Sequence, residues 1–185
     1  SIVVYVKEGE SALIKQIKIT GNRTFSDEEL ISKFNSTTPV WYEFWKNSGT
    51  YSSPVLDADI RTLVQFYQDR GFLEFSVDSS QISLDKEKKH VFVTINISEG
   101  KRYIVDKIMV SGKLTLNVEK IADAIEAFSG EYVSRGKINR SVEAIKALMS
   151  EDGYAFANIN AIPKMTTEDK VDLDFFIDPG QRVYV

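Results

Sequence analysis

The chain has 185 residues, 43% hydrophobic and 27% charged, with a net charge of −4 and no cysteine. That size and polarity allow one domain or two small ones, each with a modest core. The acidic balance argues against a nucleic-acid surface, which needs clustered Lys and Arg, and the lack of cysteine removes disulfide and thiolate chemistry.

The longest apolar run, residues 2–6, is far short of a membrane helix or a signal-peptide core. It reads as a strand, Ile2-Val3-Val4-Tyr5-Val6, and leads into Lys7-Glu8-Gly9. The same phrase returns as Ile95-Asn96-Ile97-Ser98-Glu99-Gly100 and as Phe175-Phe176-Ile177-Asp178-Pro179-Gly180. Gly100 follows Gly9 by 91 residues and Gly180 follows Gly100 by 80. An internal repeat of this length sets the fold reading before any single element does. The reading expects the last strand of a truncated repeat over 1–8, full repeats over 9–98 and 99–178, and the start of another over 179–185. The pattern begins and stops inside strands, so a fragment of a longer chain is expected.

In the first full repeat, Ile17 and Ile19 alternate with Gln16 and Lys18, the period of a half-buried strand. Ser26 and Glu29 form a capping box for a short helix, with Phe25 and Leu30 as its hydrophobic staple. Residues 35–52 follow, an irregular stretch carrying Trp41, Tyr42, Phe44, Trp45 and Tyr51. Ser53-Pro54 opens a second helix, whose stripe is Leu56, Ile60, Leu63 and Tyr67, and Gly71 ends it. A second strand reads Phe75, Val77 and Ser79 inward with Ser76, Asp78 and Ser80 outward. After the polar turn at 85–89, Val91, Val93, Ile95 and Ile97 give the cleanest alternation of the chain.

The second repeat follows the same order. A strand spans 104–110, Asn117 caps a helix through Ile121, Ile125 and Phe128, and Asn139 caps the next, which ends at Gly153. Two strands follow, one lined by Ala157, Ile159 and Ala161, the other by Val171, Leu173, Phe175 and Ile177. The fold class is therefore α+β: two tandem β-α-α-β-β units, each a three-stranded mixed sheet with two helices on one face. The third strand of each unit, with the strongest apolar face, is expected in the centre and the second at an edge.

A β-α-α-β-β unit of this length, joined through Glu-Gly and turning at Gly71-Phe72 after its second helix, resembles the POTRA repeat. The stretches Ile17 to Gly21, Asp27-Glu28-Glu29-Leu30, Asp69-Arg70-Gly71-Phe72 and Val93-Thr94-Ile95-Asn96 look like the third and fourth POTRA repeats of Gram-negative outer-membrane protein assembly factors. The resemblance implies a periplasmic, non-enzymatic scaffold tethered to the outer membrane through a barrel domain outside this stretch. Its implied partners are unfolded outer-membrane protein precursors and accessory lipoproteins such as BamB. The alternatives are a purely structural spacer arm and the POTRA module of a related secretion transporter.

The candidate sites follow. The edge strand Phe75, Ser76, Val77, Asp78, Ser79 and Ser80 is read as a peptide acceptor, because a free edge offers backbone donors and acceptors to an incoming strand. It holds neither proline nor lysine, whereas the matching strand of the second repeat runs into Pro163 and Lys164. Trp41, Tyr42, Phe44 and Trp45 are a candidate accessory-subunit contact. Glu99, Gly100 and Lys101 are read as an inter-repeat hinge of limited amplitude, since so short a link has little reach. His90 is the sole histidine; with no cysteine beside it, it is read as structural, and no metal or cofactor is expected. The carboxylate pairs Asp57/Asp59, Glu28/Glu29 and Asp172/Asp174 lack an accompanying nucleophile or phosphate loop, so no catalytic residue is assigned.

Overall fold

The computed structural model describes residues 13–34, 53–87 and 89–182. The chain divides into two compact units, Ser1–Val64 with Ser76–Glu99, and Gln65–Phe75 with Gly100–Val185.

The first unit contains β1 (Leu13–Thr20), α1 (Asp27–Ile31), the larger part of α2 (Ser53–Gln68), β2 (Ser76–Leu84) and β3 (His90–Ser98). The strand order is β1-β3-β2, with β3 parallel to β1 and antiparallel to β2. Alternation explains the central place of β3: Val91, Val93, Ile95 and Ile97 are all buried, and the residues between them are not. They meet Ile14, Ile17 and Ile19 of β1 in register, and this apolar face forms the core with Leu30, Leu56 and Leu63 from the helices. Helix α1 starts where its cap predicts, the Ser26 hydroxyl accepting from the Glu29 N–H at 3.2 Å.

The second unit contains β4 (Ile104–Gly112), α3 (Val118–Asp123), α4 (Arg135–Glu151), β5 (Asn158–Met165) and β6 (Lys170–Asp178). Its sheet repeats the topology as β4-β6-β5, with Val171, Leu173, Phe175 and Ile177 of β6 all buried. Ile121, Ile145, Met149 and Val133 cover that face. The end of α2 and the corner behind it belong to this unit. There Tyr67 stacks on Phe75 with ring centroids 4.1 Å apart, and the Gly71 carbonyl accepts from the Tyr103 N–H at 2.9 Å.

Three expectations are corrected here. Helix α3 ends at Asp123, so Phe128 is not on its apolar face and is exposed. Helix α4 begins a turn earlier than Asn139: Ser134 is its cap, accepting from the Lys137 N–H at 3.2 Å. A second cap comes from outside the local sequence: Asp69 Oδ1 accepts from the Gly136 N–H at 2.6 Å and satisfies a further first-turn donor. The third correction concerns the second strand of the first repeat, whose parity changes partway along.

Candidate peptide-binding edge

Among the described residues β2 pairs with β3 alone, so its other side carries no strand. Along the inner side the register runs Ser76↔Ser98 and Val77↔Ile97, then skips a residue and resumes at Ser79↔Asn96 and Ser80↔Ile95. Asp78 is therefore the extra residue of a β-bulge, and every side chain beyond it changes face. The alternation expected through Ser79 and Ser80 is reversed. Ser79 lies on the open face, where its hydroxyl accepts from Asn96 Nδ2 at 2.7 Å, and Ser80 stands opposite the buried Ile95. Ile82 and Leu84, opposite Val93 and Val91, share that helix-side face, and both are exposed.

Phe75 precedes the strand. Its N–H donates to the Phe72 carbonyl at 3.2 Å, so its backbone closes a turn instead of extending the edge. Asp78 is held in place: Ser98 Oγ donates to it at 2.6 Å and Ser76 Oγ at 2.9 Å. Those two bonds, the Ser98 one first, keep its carboxyl below the ordinary value despite opposition from burial. A bulge is one of the devices that blunt an edge, and the sequence reading missed it. The signal was the polar run Asp78-Ser79-Ser80, where strict alternation fails before Ile82 and Leu84 restore it.

The far end of β2 is closed by the turn to β3. Asp85 Oδ1 accepts from the N–H groups of Lys89 and His90, and Asp85 Oδ2 lies 2.7 Å from His90 Nδ1. His90 thus clasps a hairpin, and its hydrogen bond is the leading cause of the lowered Asp85 carboxyl pKa.

The other named residues separate. Glu99 accepts from the Arg23 N–H (2.9 Å), the Thr24 N–H (3.1 Å) and the Thr24 hydroxyl (2.8 Å). Gly100 has φ +72, and a Cβ there would lie 2.9 Å from Glu74 Cβ; Lys101 pairs with Glu168 at 3.6 Å. Of the carboxylate pairs, Asp59 is buried while Asp57 is exposed. Asp172 accepts from the Lys107 N–H and Asp174 from the Ser111 hydroxyl. Trp41, Tyr42, Phe44 and Trp45 lie outside the described residues. In β5 the chain continues through Pro163 and Lys164 to Met165, with Pro163 in register with Leu173; proline is tolerated there because β5 is an edge.

Two β-α-α-β-β units in tandem, each with a central third strand and an edge second strand, define a tandem-repeat module of the POTRA kind. The family model described as POTRA, surface antigen variable number repeat, matches residues 12–100 and 103–180. The chain belongs to the POTRA family.

Its curated relatives include the outer membrane protein assembly factor BamA of Buchnera aphidicola, 32% identical over 189 residues, a match covering the whole of this chain and 30% of that protein. BamA of Neisseria meningitidis is 26% identical over 187 residues, again across the whole chain and 23% of its own length. The chain thus spans less than a third of the length of these relatives. Among solved structures, POTRA repeats 3–5 of Haemophilus influenzae BamA superpose with a TM-score of 0.79 at 22% identity, covering 94% of this chain and 68% of that one.

Proposed function

We propose that this chain is a non-catalytic periplasmic module of an outer-membrane β-barrel assembly machine, tethered to the outer membrane through a barrel domain of the full-length protein. In this reading the repeats over 9–98 and 99–178 receive unfolded outer-membrane proteins and dock accessory lipoproteins, with a hinge at Glu99, Gly100 and Lys101. Family membership and the names of the relatives support the setting. The observation that carries client binding is the outer side of β2, which has no strand partner among the described residues. Beyond the bulge, Ser79 to Leu84 pairs with β3 without interruption, a regular stretch on which an extended peptide can add as a further strand whatever its side chains.

The bulge at Asp78 favours a second reading, a structural spacer arm, because it shortens the usable edge. Proline at two adjacent positions separates the two. Successive strand residues point their N–H groups to opposite sides, so of Gln81→Pro and Ile82→Pro one removes an outward donor and the other a ladder bond to β3. The variant that keeps its ladder should stay folded and lose the amide shifts that precursor peptides induce over 79–84. Unchanged peptide binding in both folded variants would reject strand addition on β2. Lipoprotein docking through Trp41, Tyr42, Phe44 and Trp45 is tested separately, by Trp41→Ala and Trp45→Ala in a binding assay against the purified lipoprotein.

A further inference from the structure

The two sheets share one topology, so each repeat serves as a control for the other. Gly21 presses against the Ile97 carbonyl and Gly112 against the Ile177 carbonyl, leaving no room for a Cβ at either place. With these anchors matched, the open face of the first sheet carries the row Lys18–Thr94–Gln81 and, next to it, Thr20–Asn96–Ser79. The corresponding rows of the second sheet are Met109–Asp174–Ile162 and Ser111–Phe176–Asn160. Lys18, Asn96 and Gln81 are thus replaced by Met109, Phe176 and Ile162.

In the first sheet these positions are polar throughout: Asn96 accepts from the Thr20 hydroxyl and donates to Ser79. The fold therefore does not require apolar residues there. In the second sheet Met109, Phe176 and Ile162 are 39%, 45% and 52% exposed. Met109 and Ile162 flank Asp174, and Phe176 stands diagonal to both, a spacing that aromatic and long side chains bridge. The result is a partly exposed apolar patch around Asp174, among further charged residues of both signs: Lys107, Lys164, Asp172 and Asp178.

We infer that this patch binds an extended peptide with bulky apolar side chains at alternate positions, the pattern of an unfolded β-barrel strand. The inference rests on the client-binding reading and names the class of segment that the second repeat would select. Pitch supports this occupant. The two rows lie two residues apart along β6, and side chains i and i+2 of an extended chain recur at that same interval. Three partly exposed side chains also offer far less than the ~800 Å² per partner of a standard protein interface, which disfavours a second folded copy. Mixed charge around the patch leaves no strong field to select a charged ligand.

The variant Met109→Lys, Ile162→Gln, Phe176→Asn installs the residues that the first sheet already carries at the matching positions. The probes are two peptides of about twelve residues and identical composition. One alternates Leu and Phe with Ser and Thr, and the other places the apolar residues at helical spacing. The alternating peptide should shift the amides of 107–111, 160–164 and 172–176, and the triple variant should bind it at least about ten-fold more weakly, as expected when anchoring side chains are lost. If the triple variant does not fold, Ile162→Gln alone and the shift map of the unaltered chain carry the test. Equal or tighter binding of the helically spaced peptide would overturn the inference. So would sedimentation showing that the unaltered chain dimerises through the patch. Shifts confined to 79–84 would overturn it while leaving the proposed function standing; no shift anywhere would overturn both.

Discussion

The Ser98 hydroxyl donates to Asp78 Oδ2 at 2.6 Å, tying the bulged residue of β2 to the end of β3. With the Ser76 bond it holds the Asp78 carboxyl below its ordinary value of 3.8. A group whose folded pKa is depressed contributes stability that is complete above the unfolded value and is lost as pH falls through the folded one. Asp78→Asn should therefore lower stability at neutral pH and flatten the acid limb, the difference from the unaltered chain closing as pH falls below about 4. Ser98→Ala should raise the Asp78 titration midpoint, read from its side-chain carboxyl NMR shift. An unmoved midpoint would show that the bond does not govern the bulge.

Glu99 fixes the loop after β1 by accepting from two backbone N–H groups and one hydroxyl. Glu99→Ala should lower the stability of the first unit by about 0.5–1.5 kcal/mol, the net worth of such bonds where water can replace the lost acceptor. Glu99→Gln, which keeps an acceptor oxygen, should lose about half as much in chemical denaturation. Equal losses for the two would mean that the carboxylate acts by charge elsewhere.

Asp69 performs a cap for a helix far away in sequence. It accepts from the Gly136 N–H at 2.6 Å and lies 3.3 Å from the hydroxyl of Ser134, the N-cap of α4. Asp69→Ala should cost about 1 kcal/mol, in the range of a lost N-cap, and amide exchange should quicken at Gly136 and Lys137 before the rest of α4. Exchange that rises uniformly along α4 would point to global unfolding instead.

Phe175 and Phe176 are adjacent and point to opposite faces of β6. Phe175 is fully buried in the second core, whereas Phe176 lies on the open face. Phe175→Ala should destabilise the second unit by about 3–5 kcal/mol, and Phe176→Asn by no more than about 0.5 kcal/mol, as for surface substitutions. Thermal melts of the two variants compare them directly. A large loss in Phe176→Asn would mean that the open face is covered by structure and is not a receptor.

The sequence alone determined what depends on near neighbours. The periods of β3 and β6, the Ser26 cap, the helix-ending glycines and the tandem order were all legible, because side-chain alternation and capping are settled within a few residues. The central place of β3 followed from the same pattern, since only a strand buried against both neighbours needs Val91, Val93, Ile95 and Ile97 together. Tertiary structure decided the rest. The bulge at Asp78 is tied to Ser98, 20 residues away, and the register shift sets which face Ser79, Ser80, Ile82 and Leu84 occupy. At the start of α4 the local cap Ser134 is supplemented by Asp69, 67 residues before Gly136, whose carboxylate accepts the Gly136 N–H. The apolar patch exists only because Met109, Ile162 and Phe176, from three strands, are brought side by side by pairing register. Each of these rests on a hydrogen bond or a register between distant segments, and local sequence carries no record of which distant partner will arrive.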